Sequence, residues 1–278
     1  DISGVVVASR SSVFNVGDEV FGMPRFPALA NGYAEFVSAP ANDLARKPMN
    51  ISHIEAAATP LAALTAWQGL FVAANLQKKQ TVLIHAGAGG VGHFAIQLAF
   101  WKGASVIATT SSANTEFVSK LGAGKVIDYT SVNFWEKLTN IDVVFHMIAP
   151  ELREKSYETL KPGGHLISIT GPVPTEEPKA YNVNGEFKSV RPNAKQIAHI
   201  SNLLASTNLA KDWFTLFNSA LLITSARFSC MFCFIDLTGA SLPTSSYIPL
   251  DLTSFGFCDF KRDRSPSRTL VNLSLIHI

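Results

Sequence analysis

The sequence predicts an α/β protein: a doubly wound parallel sheet preceded by a partial antiparallel β module. Three observations carry this. From Thr81 to Thr170, short branched apolar runs alternate with helical patterns, the spacing of strand–helix–strand crossovers in a parallel sheet. Gly87-Ala88-Gly89-Gly90-Val91-Gly92 stands directly between the first of these strands and the first helix. Residues 1–50 hold short strands between turns, with scattered Gly and Pro and no helical period, which fits an antiparallel module. The 278 residues, 47% hydrophobic and 16% charged, suit about two globular domains. With 23 Lys plus Arg against 21 Asp plus Glu, no broad positive field exists to hold nucleic acid, and none is expected as a partner.

Asp1 to Val7 reads as a strand already in progress, and Val16 to Gly22 as a turn feeding another strand. Ser52 to Val72 supplies a linking helix pair, opened by a capping box between Ser52 and Glu55. Thr81–His85, Ala104–Thr109, Lys125–Asp128, Asp142–His146 and His165–Thr170 then read as strands. Gly90–Trp101, Thr115–Leu121, Asn133–Leu138 and Leu152–Leu160 read as the helices between them. Gly171 to Lys179 is a Pro-containing loop, Gly185–Arg191 a sixth strand, and Pro192 opens a helix over Asn193–Ala205.

Gly87, Gly89 and Gly92 form G-x-G-x-x-G. Between a strand and a helix, such a loop lets the backbone approach a pyrophosphate while the helix N-terminus offers free N–H groups and partial positive charge. A dinucleotide is therefore expected on Gly87, Ala88, Gly89, Gly90, Val91 and Gly92. About 20 residues after the glycines, where an acid grips the ribose of NAD, the chain reads Ala108-Thr109-Thr110-Ser111-Ser112-Ala113-Asn114. Hydroxyls and an amide there favour the 2′-phosphate of NADP. Open α/β sheets bind ligands beyond the carboxyl ends of their strands, which nominates Ile148, Ala149, Ile169, Thr170 and Gly171.

No metal site is expected. Catalytic zinc needs three protein ligands and a closed structural site four, whereas His85, His93, His146, His165 and His199 occur singly and read as loop or sheet-end residues. The three cysteines, Cys230, Cys233 and Cys258, all fall in a late segment without the α/β rhythm. Cys230-x-x-Cys233 reads there as coincidence. The apolar stretch Phe214–Leu237 is broken by Arg227, so no membrane span is expected. No charged start precedes an apolar core at the N-terminus, so a cytoplasmic location is expected. The strand pattern beginning at Asp1 suggests that upstream sequence supplies its neighbours. Residues 206–278 read as a non-family tail, read-through or chimeric, ending in Leu273–Ile278, which looks like a translated library adapter.

The ordered motifs Val16-Gly17-Asp18-Glu19-Val20-Phe21-Gly22, Gly32-Tyr33-Ala34-Glu35-Phe36, Ala56-Ala57-Ala58-Thr59-Pro60-Leu61, Leu64-Thr65-Ala66-Trp67, the glycine string, Leu121-Gly122-Ala123, Val126-Ile127-Asp128-Tyr129 and Leu160-Lys161-Pro162-Gly163-Gly164 resemble one family. It is the zinc-free quinone oxidoreductase branch of the medium-chain dehydrogenase/reductase superfamily, and the likeness covers residues 1 to about 205. The resemblance implies a partial GroES-like β domain with linking helices over 1–72 and an NADP-binding Rossmann domain over 73–205. It implies hydride transfer from NADPH to a quinone, enone or alkenal without zinc, on a small electrophilic carbonyl or quinone substrate, and a homodimer at full length. It nominates Thr65 as the catalytic residue, Ser111, Ser112 and Tyr129 at the 2′-phosphate, Asn114 where relatives carry Lys, and Phe187 and Ser189 in a segment that approaches the nicotinamide. Two other readings stay open: a non-enzymatic NADPH-binding or crystallin-like protein, and an inactive truncated chimera.

Overall fold

The computed structural model describes residues 1–206 and 273–277, which build two sheets joined by helices. In chain order the first half comprises β1 (Ile2–Ser9), β2 (Glu19–Gly22), β3 (Phe36–Pro40), β4 (Leu44–Arg46), α1 (His53–Ala58), α2 (Pro60–Trp67), β5 (Thr81–Ile84) and α3 (Gly92–Trp101). There follow β6 (Ser105–Thr110), α4 (Thr115–Lys120), β7 (Lys125–Asp128), β8 (Ile141–His146), α5 (Arg153–Thr159), β9 (Leu160–Ser168), α6 (Glu177–Ala180), β10 (Asn184–Phe187), α7 (Ala194–Ser206) and β11 (Leu273–His277).

The first sheet runs β3-β11-β1-β2-β4, every pair antiparallel. Gly17 takes φ +93° in the turn before β2, a conformation that a Cβ disfavours. Ile2, Val6, Val20, Val37, Leu44 and Ile276 close one face into a core, as alternation along strands requires. β1 is paired on both edges, by β2 and by Leu273–His277. The pairing with Leu273–His277 joins segments from opposite ends of the described residues, which no local pattern encodes.

The second sheet runs β7-β6-β5-β8-β9-β10 and is parallel throughout. Chain order reverses between β5 and β8, which leaves a crevice at the carboxyl ends of those two strands. Val82, Leu83 and Ile84 of β5 are fully buried, as expected for a central strand covered by helices on both faces. One core continues from Phe21 and Ala45 of the first sheet through Leu64, Leu70, Ile84 and Ile96 to Leu204. Hydrogen bonds from Ser201 Oγ to the Arg46 carbonyl (3.1 Å) and from Asn50 Nδ2 to the Leu204 carbonyl (2.9 Å) tie α7 to the β4 side.

The capping box at α1 is formed: Ser52 Oγ accepts from the Glu55 amide, and the Glu55 carboxylate accepts from the Ser52 amide at 2.6 Å. Ser52→Ala is expected to lower the unfolding free energy by about 1 kcal/mol, seen as a lower urea midpoint at unchanged slope. An unmoved midpoint would show that the cap contributes nothing. The element boundaries differ from expectation at several points, by a residue or two at most strands and helices and by five at β9, which starts at Leu160 rather than His165; α6 begins within the expected 171–179 loop. α3 starts at Gly92, with Gly90 and Val91 left in the loop. Asn133–Leu138 yields only a 3-10 turn over Phe134–Glu136. The sixth strand spans Asn184–Phe187, and Pro192 precedes the first helical residue of α7, Ala194. Of residues 206–278, only Ser206 and Leu273–His277 are described; Phe214–Leu237 and the three cysteines lie outside the described residues. No helix among the described residues is long and apolar enough to cross a membrane.

Candidate functional site

The glycine string leaves the end of β5 at the reversal point and enters α3. Each glycine has its own reason. A Cβ on Gly92 would lie 2.2 Å from the Ala86 carbonyl oxygen, and one on Gly87 would touch Ile96, Ala108 and Val118 at 3.0–3.4 Å, so these two buried glycines let helix, loop and β6 pack closely. Gly89 and Gly90 are exposed, and a Cβ on Gly89 would meet only the Ala86 carbonyl at 3.1 Å. α3 has no side-chain cap, unlike α1. Among the described residues, the backbone amides of Ala88, Gly90 and Val91 have no hydrogen-bond partner. An open concave run of N–H groups at a helix N-terminus is suited to a phosphate. Ala86 holds φ +47° at the root of this loop, a left-handed conformation costing roughly 1–2 kcal/mol for a residue with a Cβ.

At the end of β6, Ser111 opens a 3-10 turn over Ser112–Asn114, closed by Asn114 Nδ2 on Ser111 Oγ at 3.2 Å. Register pairs Thr110 with Asp128, and the Tyr129 amide donates to the Thr110 carbonyl at 3.1 Å. The fold therefore gathers Ser111, Ser112, Asn114 and Tyr129 on one rim. It also adds a carboxylate that the reading of β6 alone did not show. Asp128 Oδ1 accepts from the Thr130 hydroxyl at 2.7 Å and from the Thr130 amide at 2.9 Å, and these bonds hold its carboxyl below the usual range.

Ile148 and Ala149 follow β8, and Ile169, Thr170 and Gly171 follow β9. They are linked by Thr170 Oγ1 to the Ile148 carbonyl (2.9 Å) and Ser168 Oγ to the Gly171 carbonyl (3.1 Å). Phe187 ends β10 beside them, and Ser189 is exposed just beyond. Thr65 lies in α2, 7% exposed, with its hydroxyl donating to the Leu61 carbonyl at 2.7 Å. Its proton is committed to its own helix, leaving its oxygen as an acceptor. Buried Gln68, one turn on, clamps the Arg191 backbone: Nε2 donates to the Arg191 carbonyl at 2.8 Å and Oε1 accepts from its amide at 3.0 Å. This ties the 187–193 segment to α2, a link between residues far apart in sequence that no motif announced.

The histidines that occur singly in sequence are brought together in part. His85 directly follows β5 and His146 ends the adjacent β8, both fully buried, with ring centres 5.6 Å apart. Ser156 Oγ sits between them, 3.2 Å from His85 Nε2 and 3.1 Å from His146 Nδ1, while His85 Nδ1 meets Thr109 Oγ1 at 3.2 Å. Burial, then the neighbouring His146, lowers His85 to about 3. Burial, then the Arg153 charge, lowers His146 to about 4. Both rings are neutral near pH 7 and serve as hydrogen-bonding spacers. Among the described residues, no three His, Cys, Asp or Glu side chains lie close enough to hold a metal. No zinc step can be derived from them.

A parallel sheet in this order, with a glycine loop at its reversal point, is a Rossmann-type nucleotide fold. Residues 90–209 match the family model described as zinc-binding dehydrogenase. The chain is 37% identical over 182 residues to the NADPH-dependent alkenal/one oxidoreductase of Arabidopsis thaliana, covering 62% of this chain and 46% of that protein. It is 33% identical over 223 residues to the "Probable zinc-binding oxidoreductase, mitochondrial" of Arthroderma benhamiae, covering 73% of this chain and 67% of that one. The solved quinone oxidoreductase of Coxiella burnetii superposes with TM-score 0.68 at 31% identity, over 81% of this chain and 74% of that one. The chain belongs to the medium-chain dehydrogenase/reductase superfamily, in its quinone oxidoreductase-like branch. It spans about half the length of the first curated relatives it matches.

Proposed function

We propose that this chain forms the cofactor-binding part of an NADPH-dependent reductase of quinones, enones or alkenals that works without zinc. The observation carrying the reading is the open glycine cradle at an uncapped helix N-terminus, placed where the sheet order reverses. The backbone amides of Ala88, Gly90 and Val91 would bind the pyrophosphate, with Gly87, Gly89 and Gly92 making room. Ser111, Ser112, Asn114 and Tyr129 would donate to the 2′-phosphate, while Asp128 stays engaged by Thr130. Ile148, Ala149, Ile169, Thr170, Gly171, Phe187 and Ser189 would line the nicotinamide half. When bound, the reduced cofactor supplies hydride to an electrophilic carbon. Thr65 would orient the reactants through its oxygen lone pair, and the buried walls exclude water. The names of the Arabidopsis and Coxiella relatives support this substrate class.

The direct test is NADPH oxidation by the chain with a panel of quinones and enones. Acceptor-dependent turnover is expected, and its absence with NADPH still bound would favour a non-enzymatic binding protein. NADPH should bind more tightly than NADH, and Ser111→Asp should reverse that order by charge repulsion. Equal affinities in both proteins would sink the assignment of the rim. The compartment and assembly proposed are the cytoplasm and a homodimer, open to imaging and to sedimentation of the full-length protein.

A further inference from the structure

We propose that Thr109 is a positioning residue for the glycine loop, holding its root in the phosphate-binding shape through a buried hydrogen-bond chain that runs from Ala86 through Thr109, His85 and Ser156 to His146. The inference rests on the proposal above that this loop binds a dinucleotide phosphate. Thr109 serves the loop twice from the neighbouring strand. Its carbonyl accepts from the Gly87 amide at 2.8 Å, and its hydroxyl oxygen accepts from the Ala86 amide at 3.2 Å. Ala86 is the loop's strained residue, at φ +47°, and its carbonyl accepts from the Gly89 amide at 2.9 Å. The conformation of Ala86 therefore sets where Gly89 and Gly90 stand. Strain at a functional loop persists only where its surroundings over-determine it, and the Thr109 hydroxyl is the side-chain contact that does so.

The hydroxyl is itself held. Ala86 N–H donates to Thr109 Oγ1, which leaves the Thr109 proton for His85 Nδ1. His85 then carries its proton on Nε2 and donates it to Ser156 Oγ, a tautomer assigned from the network. Ser156 Oγ also contacts the Leu152 carbonyl and His146 Nδ1 at 3.2 and 3.1 Å. Thr109, His85, Ser156 and His146 are all nine-tenths buried or more, so water cannot substitute for a missing member.

The test uses the full chain and NADPH fluorescence titration at pH 7.5. Thr109→Val keeps the side-chain shape and removes the hydroxyl; it is expected to raise the NADPH Kd about tenfold, whereas Thr109→Ser should restore it to within about twofold, the effect of one hydrogen bond. A purely structural role would lower the melting temperature of Thr109→Val and leave the Kd of the folded protein unchanged, which overturns the inference if Gly89→Val does lose binding. Unchanged binding in Gly89→Val removes the reading of the loop itself, and the inference with it. Should Thr109→Val fail to fold, amide exchange in the wild-type chain decides. Corrected for intrinsic rates, Ala86 is expected to exchange at least tenfold more slowly than the unpartnered Gly90, and equal rates overturn the inference.

Discussion

Gly89→Val is expected to weaken NADPH binding at least about 30-fold while barely moving the unfolding midpoint. The two effects separate because of where Gly89 stands. It is exposed, and an added Cβ meets only the Ala86 carbonyl at 3.1 Å, a contact relieved by a shift of a few tenths of an ångström. A branched side chain would, however, fill the space above the free amides of Gly90 and Val91. Losing even one charge-assisted hydrogen bond to phosphate costs about 2 kcal/mol, which is the 30-fold stated. Gly92→Ala reverses the pattern. Its Cβ would fall 2.2 Å from the Ala86 carbonyl and 2.9 Å from Gly87 Cα, all backbone that cannot step aside, so a loss of about 3 kcal/mol or more in stability is expected. Isothermal titration beside urea unfolding of both variants checks this. Full NADPH affinity in Gly89→Val would show that no phosphate approaches the loop there.

Acid should destabilise the fold from about pH 6.5 downward, well before the carboxylates are protonated. His85 and His146 sit at about 3 and about 4 in the folded chain against an ordinary 6.5. Between those values the unfolded chain binds protons that the folded chain does not. Stability is therefore full above 6.5, falls as pH drops through the window, and loses nothing further from these groups below about 3. Each unit of pH costs about 1.4 kcal/mol per histidine within the window, so about 2–4 kcal/mol should vanish between pH 6.5 and 5. Burial lowers His93 in the same direction. His146→Leu should roughly halve the slope, because Ser156 keeps His85 and Leu152 as partners. Urea unfolding at several pH values would read this, and a flat profile for the wild-type chain would mean that the two rings are not buried neutral.

Legibility followed locality. The doubly wound sheet could be read because each βα unit writes its own signal, branched apolar runs followed by a helical period. Lys125–Asp128 agreed to the residue, as did the Ser52–Glu55 box. The glycine string was legible because strand, loop and helix are contiguous. At the start of α7 the boundary moved past Asn193, whose Oδ1 accepts from the Gln196 amide at 3.1 Å, and near Phe134 only a 3-10 turn formed. Asp128 beside Ser112 went unseen because it sits on a different strand and arrives only through the β6–β7 register.

From residue order alone came the α/β class, the family likeness, the glycine loop between strand and helix, and the hydroxyls at the end of β6. These are properties of short contiguous segments, where backbone preference and side-chain period act locally. Packing supplied the rest: Leu273–His277 lodged between β1 and β3, Gln68 gripping Arg191, and two histidines made neighbours through Ser156. Each joins residues separated by tens to hundreds of positions. Such pairings are selected by the shared burial of many surfaces at once, and no single stretch of chain contains that information.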